Sequence, residues 1–196
     1  IIEALDILIA KKISENLIQK WTINEISHAI GKHYRPTYMA VQRLLKERIL
    51  LKNTNNLIEP LFMNTFLLET AEKARFSNIM RREVLIAAKR LEKNIHSSFY
   101  TAVLFGSSVK GKGQDIDLLL ILPDSETASE FKMKTAKALG SIASKVDLNC
   151  INEESCYEML NEPNELNVMN EIMKNHLVLI GCESFYKIIR RWKKHD

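Results

Sequence analysis

The chain has 196 residues, 46% hydrophobic and 27% charged, with a net charge of +4, an ordinary globular profile long enough for one large domain or two small ones. No apolar run approaches the roughly 18 residues that a membrane span needs, and Ile1-Ile2-Glu3 lacks the basic leader of a signal peptide. The three cysteines, Cys150, Cys156 and Cys182, follow no metal-ligand spacing and read as reduced thiols, so the expectation is a cytoplasmic protein with no membrane partner.

Residues 1–18 carry Ile2, Leu5, Ile9, Ile13 and Leu17 at helical spacing, and Trp21 follows at a break. Thr22-Ile23-Asn24-Glu25 matches a capping box, in which the Thr hydroxyl caps a backbone N–H and the Glu reaches back. A short helix is predicted from there, ended by Gly31. The turn Lys32-His33-Tyr34-Arg35 leads to Pro36, expected at the first position of a further helix with Val41, Leu44 and Leu45 on its inner face. Two short apolar runs, Ile49-Leu50-Leu51 and Leu57-Ile58, flank Asn53-Thr54-Asn55-Asn56 and read as a hairpin, because Asn tolerates positive φ.

Helix, helix, turn, helix and hairpin over residues 1–62 resemble the winged helix-turn-helix family. The resemblance implies a recognition helix in the major groove of double-stranded DNA and a wing on its backbone. Arg35, Thr37, Tyr38, Gln42 and Arg43 are the expected DNA contacts. The segment holds nine Lys/Arg against six Asp/Glu, a balance that suits a polyanion.

Residues 63–98 read as a basic helical connector with a break near Ser77-Asn78. From Tyr100 the period changes. Strands are predicted at Tyr100 to Phe105, Asp115 to Leu122, Lys145 to Ile151 and Leu177 to Ile180. Helices are predicted over Thr127 to Ile142, 153–174 and Cys182 to Trp192. Strands interleaved with helices in this way suggest an α+β or α/β sheet domain over 99–196. Residues 99–182 are acidic, with twelve Asp/Glu against seven Lys/Arg, a setting for hard cations.

Within the run Asp115-Ile116-Asp117-Leu118, strand alternation puts Asp115 and Asp117 on one face. Two carboxylates side by side call for a cation, and oxygen ligands alone favour Mg²⁺ or Mn²⁺. Upstream, Val103-Leu104-Phe105 ends in Gly106-Ser107, where a turn into a short helix would offer N–H groups and a hydroxyl to phosphate. Lys110 and Lys112 would neutralise further phosphate charge. Asp147, in Lys145-Val146-Asp147-Leu148-Asn149, is the acidic residue of the next strand-like run and is chosen as the third carboxylate.

Leu104-Phe105-Gly106-Ser107 followed by Asp115-Ile116-Asp117-Leu118 resembles the signature of the DNA polymerase beta-like nucleotidyltransferases, and the size and C-terminus resemble their minimal group. The resemblance covers about residues 80–190. It implies an α+β fold with a mixed sheet flanked by helices, Asp115 and Asp117 as metal ligands, and Asp147 as a third ligand and base. Gly106 and Ser107 would hold the β- and γ-phosphates of a nucleoside triphosphate, and a partner protein could be the acceptor. Only seven residues separate Ser107 from Asp115, fewer than is usual in the family. A regulator that binds DNA and merely senses a nucleotide or holds a protein partner is the alternative.

Overall fold

A computed structural model describes residues 2–95, 99–111 and 113–193. The chain is α+β and divides into two units, Ile1–Arg75 and Phe76–Asp196. The division falls within the expected connector 63–98, at the last residue of its first helix, and its second helix lies in the C-terminal unit. No helix among the described residues is long and apolar enough to cross a membrane.

In the N-terminal unit, α1 (Ala4–Ser14), α2 (Ile23–Ala29) and α3 (Tyr34–Lys46) pack on one another around Ile9, Ile13, Ile26, Val41 and Leu44. The capping box forms at the start of α2: Thr22 Oγ1 accepts from the Glu25 N–H at 3.1 Å, and Glu25 Oε2 accepts from the Thr22 N–H at 2.7 Å. The Thr22 N–H, and then the Thr22 hydroxyl donating to the same oxygen at 2.9 Å, hold the Glu25 carboxyl below its ordinary range. α3 begins at Tyr34, two residues before the expected proline start. Pro36 still fits, because the first turn of a helix has no intrahelical acceptor for its N–H groups.

β1 (Leu50–Lys52) and β2 (Ile58–Pro60) form an antiparallel hairpin. Its turn works through Asn53, whose Oδ1 accepts from Asn55 and Leu57, and through Asn56 at φ 63. Trp21, expected only as a break, is instead a third rung, paired with Ile58 through N–H···O bonds of 2.9 and 2.7 Å. α4 (Phe66–Phe76) buries Leu67, Leu68 and Ala71, and Arg75 reaches both Ser14 of α1 and the buried Glu72.

In the C-terminal unit, α5 (Arg82–Ile95) precedes a four-stranded mixed sheet in the order β5-β4-β3-β6. Its strands are β3 (Thr101–Phe105), β4 (Ile116–Leu122), β5 (Val146–Asn152) and β6 (His176–Ile180). β3 runs antiparallel to β4 and β6, and β4 runs parallel to β5. α6 (Ala128–Leu139) connects the parallel pair. The expected helix over 153–174 is two helices, α7 (Glu153–Leu160) and α8 (Val168–Lys174), each capped by an asparagine, Asn152 and Asn167. α9 (Cys182–Lys193) ends the described fold.

The sheet alternation sorts residues cleanly. Ala102, Leu104, Ile116, Leu118, Leu120, Leu148, Leu177 and Leu179 join one core with Val84, Ala87 and Leu91 of α5 and Phe131 of α6. Residues of opposite parity, including Val103, Leu119, Asp117 and Asp147, therefore belong to the other face. α7 packs on β4 and β5 there, and α9 on β3 and β6. β4 is thus covered on both faces, which explains its nearly unbroken apolar run.

Candidate functional site

The site gathers at the end of the sheet where β3 stops and β4 and β5 start. After Phe105 the chain enters a single 3-10 stretch, Gly106–Lys110. Gly106 has φ +64, and a Cβ there would lie 2.8 Å from Asp117 Oδ2. The glycine is what lets the β4 carboxylate lie against the turn.

Ser108 clasps the two together. It is 2% exposed, and its Oγ accepts from the Asp117 N–H at 2.8 Å. The same oxygen lies 2.8 Å from Asp117 Oδ2 and 3.1 Å from the Phe105 carbonyl. One hydroxyl proton serves one of these acceptors at a time. From the other side, Asn175 donates to the Gly106 carbonyl at 2.8 Å.

The seven-residue loop is folded tightly. Gly113 comes so close to Ser107 that a Cβ would meet its Oγ at 2.8 Å. Arg81, just before α5, donates to the carbonyls of Gln114 at 2.7 Å and Asp115 at 3.3 Å. β4 pairing starts only at Ile116. Asp115 is therefore an exposed residue ahead of the strand, and it does not line the cavity beside Asp117. Arg81 holds the backbone of Asp115 one residue before the ladder begins.

Asp147 of β5 stands directly opposite Asp117 in the parallel register. Neighbouring strands lie roughly 4.8 Å apart, so the two carboxylates face one space. They line a cavity of about 350 Å³ with Gly106 and Asn149. Leu166, Val168 and Glu171, around the start of α8, also line it. Among the described residues no three carboxylate, imidazole or thiolate groups converge as a ready-made metal cage. The donor set nevertheless suits Mg²⁺, which is commonly held by one or two carboxylates and completed by substrate phosphates and water.

Ser107 and Lys110 are exposed on the turn beside the cavity, and Lys112 lies outside the described residues. Cys150, next on β5, stays a thiol: burial pushes its pKa up to about 11. Away from the cavity, α7 and α9 bound a second hollow of about 460 Å³. Its Glu153 accepts from the Tyr157 hydroxyl at 2.6 Å and from Arg191 at 3.0 Å, so its charge is met within the fold. Burial, then that hydrogen bond, raises the Tyr157 phenol.

In the N-terminal unit, Arg35, Tyr38 and Gln42 are exposed on α3, where Tyr34 and Tyr38 stack at 6.1 Å. Two expected DNA contacts are placed otherwise. Thr37 is 0% exposed and donates to the His33 carbonyl at 2.9 Å, because its position on α3 faces the core. Arg43 turns to α1, with Nη2 2.9 Å from the buried Asp6 and 2.8 Å from Glu3.

Sequence reasoning missed Ser108, Asn149, Glu171 and Asn175. Asn149 was open to discovery, since it lies two residues from Asp147 and so shares its face. Ser108 gave no signal beyond a small polar residue beside Gly-Ser. No family model, curated protein or solved structure matches the chain.

Proposed function

We propose that the C-terminal unit is a metal-dependent nucleotidyltransferase and that the N-terminal unit is a winged helix-turn-helix module for double-stranded DNA. The observation that carries the enzymatic reading is the pairing of Asp117 with Asp147 across one cavity, with Gly106 pressed against Asp117. Asp117 and Asp147 would hold Mg²⁺ or Mn²⁺, with Asp115 close by in sequence at the mouth of the strand. The metal supplies charge neutralisation on the phosphoryl oxygens.

The chain's own residues do the rest. Gly106, Ser107, Lys110 and Lys112 take the β- and γ-phosphates of a nucleoside triphosphate. Ser108 fixes the Asp117 rotamer by its bond to Oδ2. Asp147 takes the proton of the acceptor hydroxyl as its oxygen bonds to the α-phosphorus. The bond between that phosphorus and the bridging oxygen breaks, and pyrophosphate leaves with both electrons. A hydroxyl of a partner protein is the acceptor class proposed.

The test is calorimetric melting of the full chain and of Asp117→Asn, with each nucleoside triphosphate and Mg²⁺ or Mn²⁺. At one hundred times Kd, a ligand of the folded state stabilises it by about 2.7 kcal/mol. The expected result is a metal-dependent rise of the wild-type midpoint that the variant loses. No rise at millimolar nucleotide, or the same rise in the variant, overturns the assignment.

A second reading makes the chain a DNA-binding regulator whose second unit only senses nucleotide or holds a protein partner. The stacked, exposed Tyr34–Tyr38 pair and exposed Arg35 favour it. Nucleotide binding without pyrophosphate release in the presence of cell-extract proteins would select it.

A further inference from the structure

The cavity is also lined by residues around the start of α8, Leu166 to Val168 and Glu171. The connection from α7 to α8 is pinned at several points. Asn167 donates to the Met159 carbonyl at 3.0 Å, and Asn170 donates to the carbonyls of Glu162 at 2.7 Å and Glu165 at 2.8 Å. The Asn170 N–H in turn bonds Asn167 Oδ1 at 2.9 Å.

On this pinned segment Leu166 is 93% exposed at the cavity rim. A lone exposed leucine is ordinary on a protein surface. One presented by a hydrogen-bonded loop at the edge of a polar cavity packs on nothing in its own fold and offers a fixed apolar face to a ligand. Asn149 of β5 lines the same cavity, and among the described residues its amide has no hydrogen-bond partner. A half-buried amide carries donors and acceptors that a ligand can satisfy.

Resting on the nucleotidyltransferase reading, we infer that this end of the cavity is a nucleobase subsite, with the base lying on Leu166 and its edge read by the Asn149 amide. In this reading the phosphates go to Gly106–Lys110 and the base to Leu166 and Asn149, which share the cavity with Gly106. Asn149 then sets which base is preferred, while Leu166 contributes to all of them. Amide-to-base pairing of this kind discriminates by about tenfold or more.

The experiment is titration calorimetry of the full chain with Mg²⁺ and, in turn, the four nucleoside triphosphates and inorganic tripolyphosphate, for wild type, Asn149→Ala and Leu166→Ala. Expected are base discrimination in the wild type that collapses in Asn149→Ala, and several-fold weaker binding of every nucleotide in Leu166→Ala. Both variants should bind tripolyphosphate as the wild type does, which also shows that they are folded. Nucleotide binding with unchanged discrimination in Asn149→Ala and unchanged affinity in Leu166→Ala overturns the subsite alone. A wild type that binds neither tripolyphosphate nor any nucleotide overturns the nucleotide reading along with it.

Discussion

Ser108 illustrates how much a single hydroxyl can organise. Buried to 2% exposure, it satisfies the Asp117 N–H and lies within bonding distance of its carboxylate. Replacing it with alanine leaves a buried donor and an acceptor without their partner, which costs roughly 1–3 kcal/mol. Ser108→Ala should therefore lower the urea midpoint with little change in slope. It should also weaken the proposed metal-dependent nucleotide binding, because Asp117 loses its fixed rotamer. A variant that unfolds and binds like the wild type would show that the clasp does not hold the carboxylate. Gly106 acts in the same place by steric means, since any side chain would collide with Asp117 Oδ2.

At the scale of elements, the tie between α1 and α3 depends on charge inside a small core. Asp6 is 2% exposed and meets Arg43 at 2.9 Å. Removing one partner of such a pair strands the other, at a cost of about 3–5 kcal/mol when burial is complete. Because Arg43 is itself partly exposed, the lower end is expected for Arg43→Ala, read from denaturant unfolding. The double variant Asp6→Asn with Arg43→Met should lose less than the sum of the two single losses, and a double loss equal to that sum would mean the pair is not coupled. That tie was not legible in the sequence. Helical period placed Arg43 at the surface of α3 but cannot say that α1 brings a carboxylate to it. The elements themselves were legible where local chemistry decides them: the Thr22 capping box, the Asn-rich hairpin turn, and the apolar run of β4. Asp117 and Asp147 were legible as acidic residues in strand-like runs. Their adjacency was not, because it depends on which strands pair and in what register. Asp115 lies one residue outside the ladder, which opens at Ile116.

Across the whole molecule the uneven charge has consequences that no single contact carries. Residues 1–98 and 183–196 are basic, and residues 99–182 are acidic. If the N-terminal unit holds duplex DNA, affinity should fall with salt along a log–log line whose slope is about −0.9 for each phosphate neutralised. Arg35→Ala should make that slope shallower by about one, and Tyr38→Ala should weaken binding without changing it. Filter binding of the full chain to a mixed-sequence duplex from 50 to 300 mM salt, a range of about 0.8 of a decade, measures both. Affinity indifferent to salt, or to Arg35, would remove DNA from the account.

The parallel pairing of β4 and β5 makes the active-site candidate an arithmetic property of the connection between them. Side chains alternate with a period of two, so sliding β5 by one residue would turn Asp147 and Asn149 into the apolar core together and bring Leu148 to the cavity. A residue gained or lost between α6 and β5 must therefore be taken up within Gly140–Lys145, because passing it on to β5 would put two polar groups into the core at once. The buried face of β5 fixes the register, and the connection absorbs the change in length.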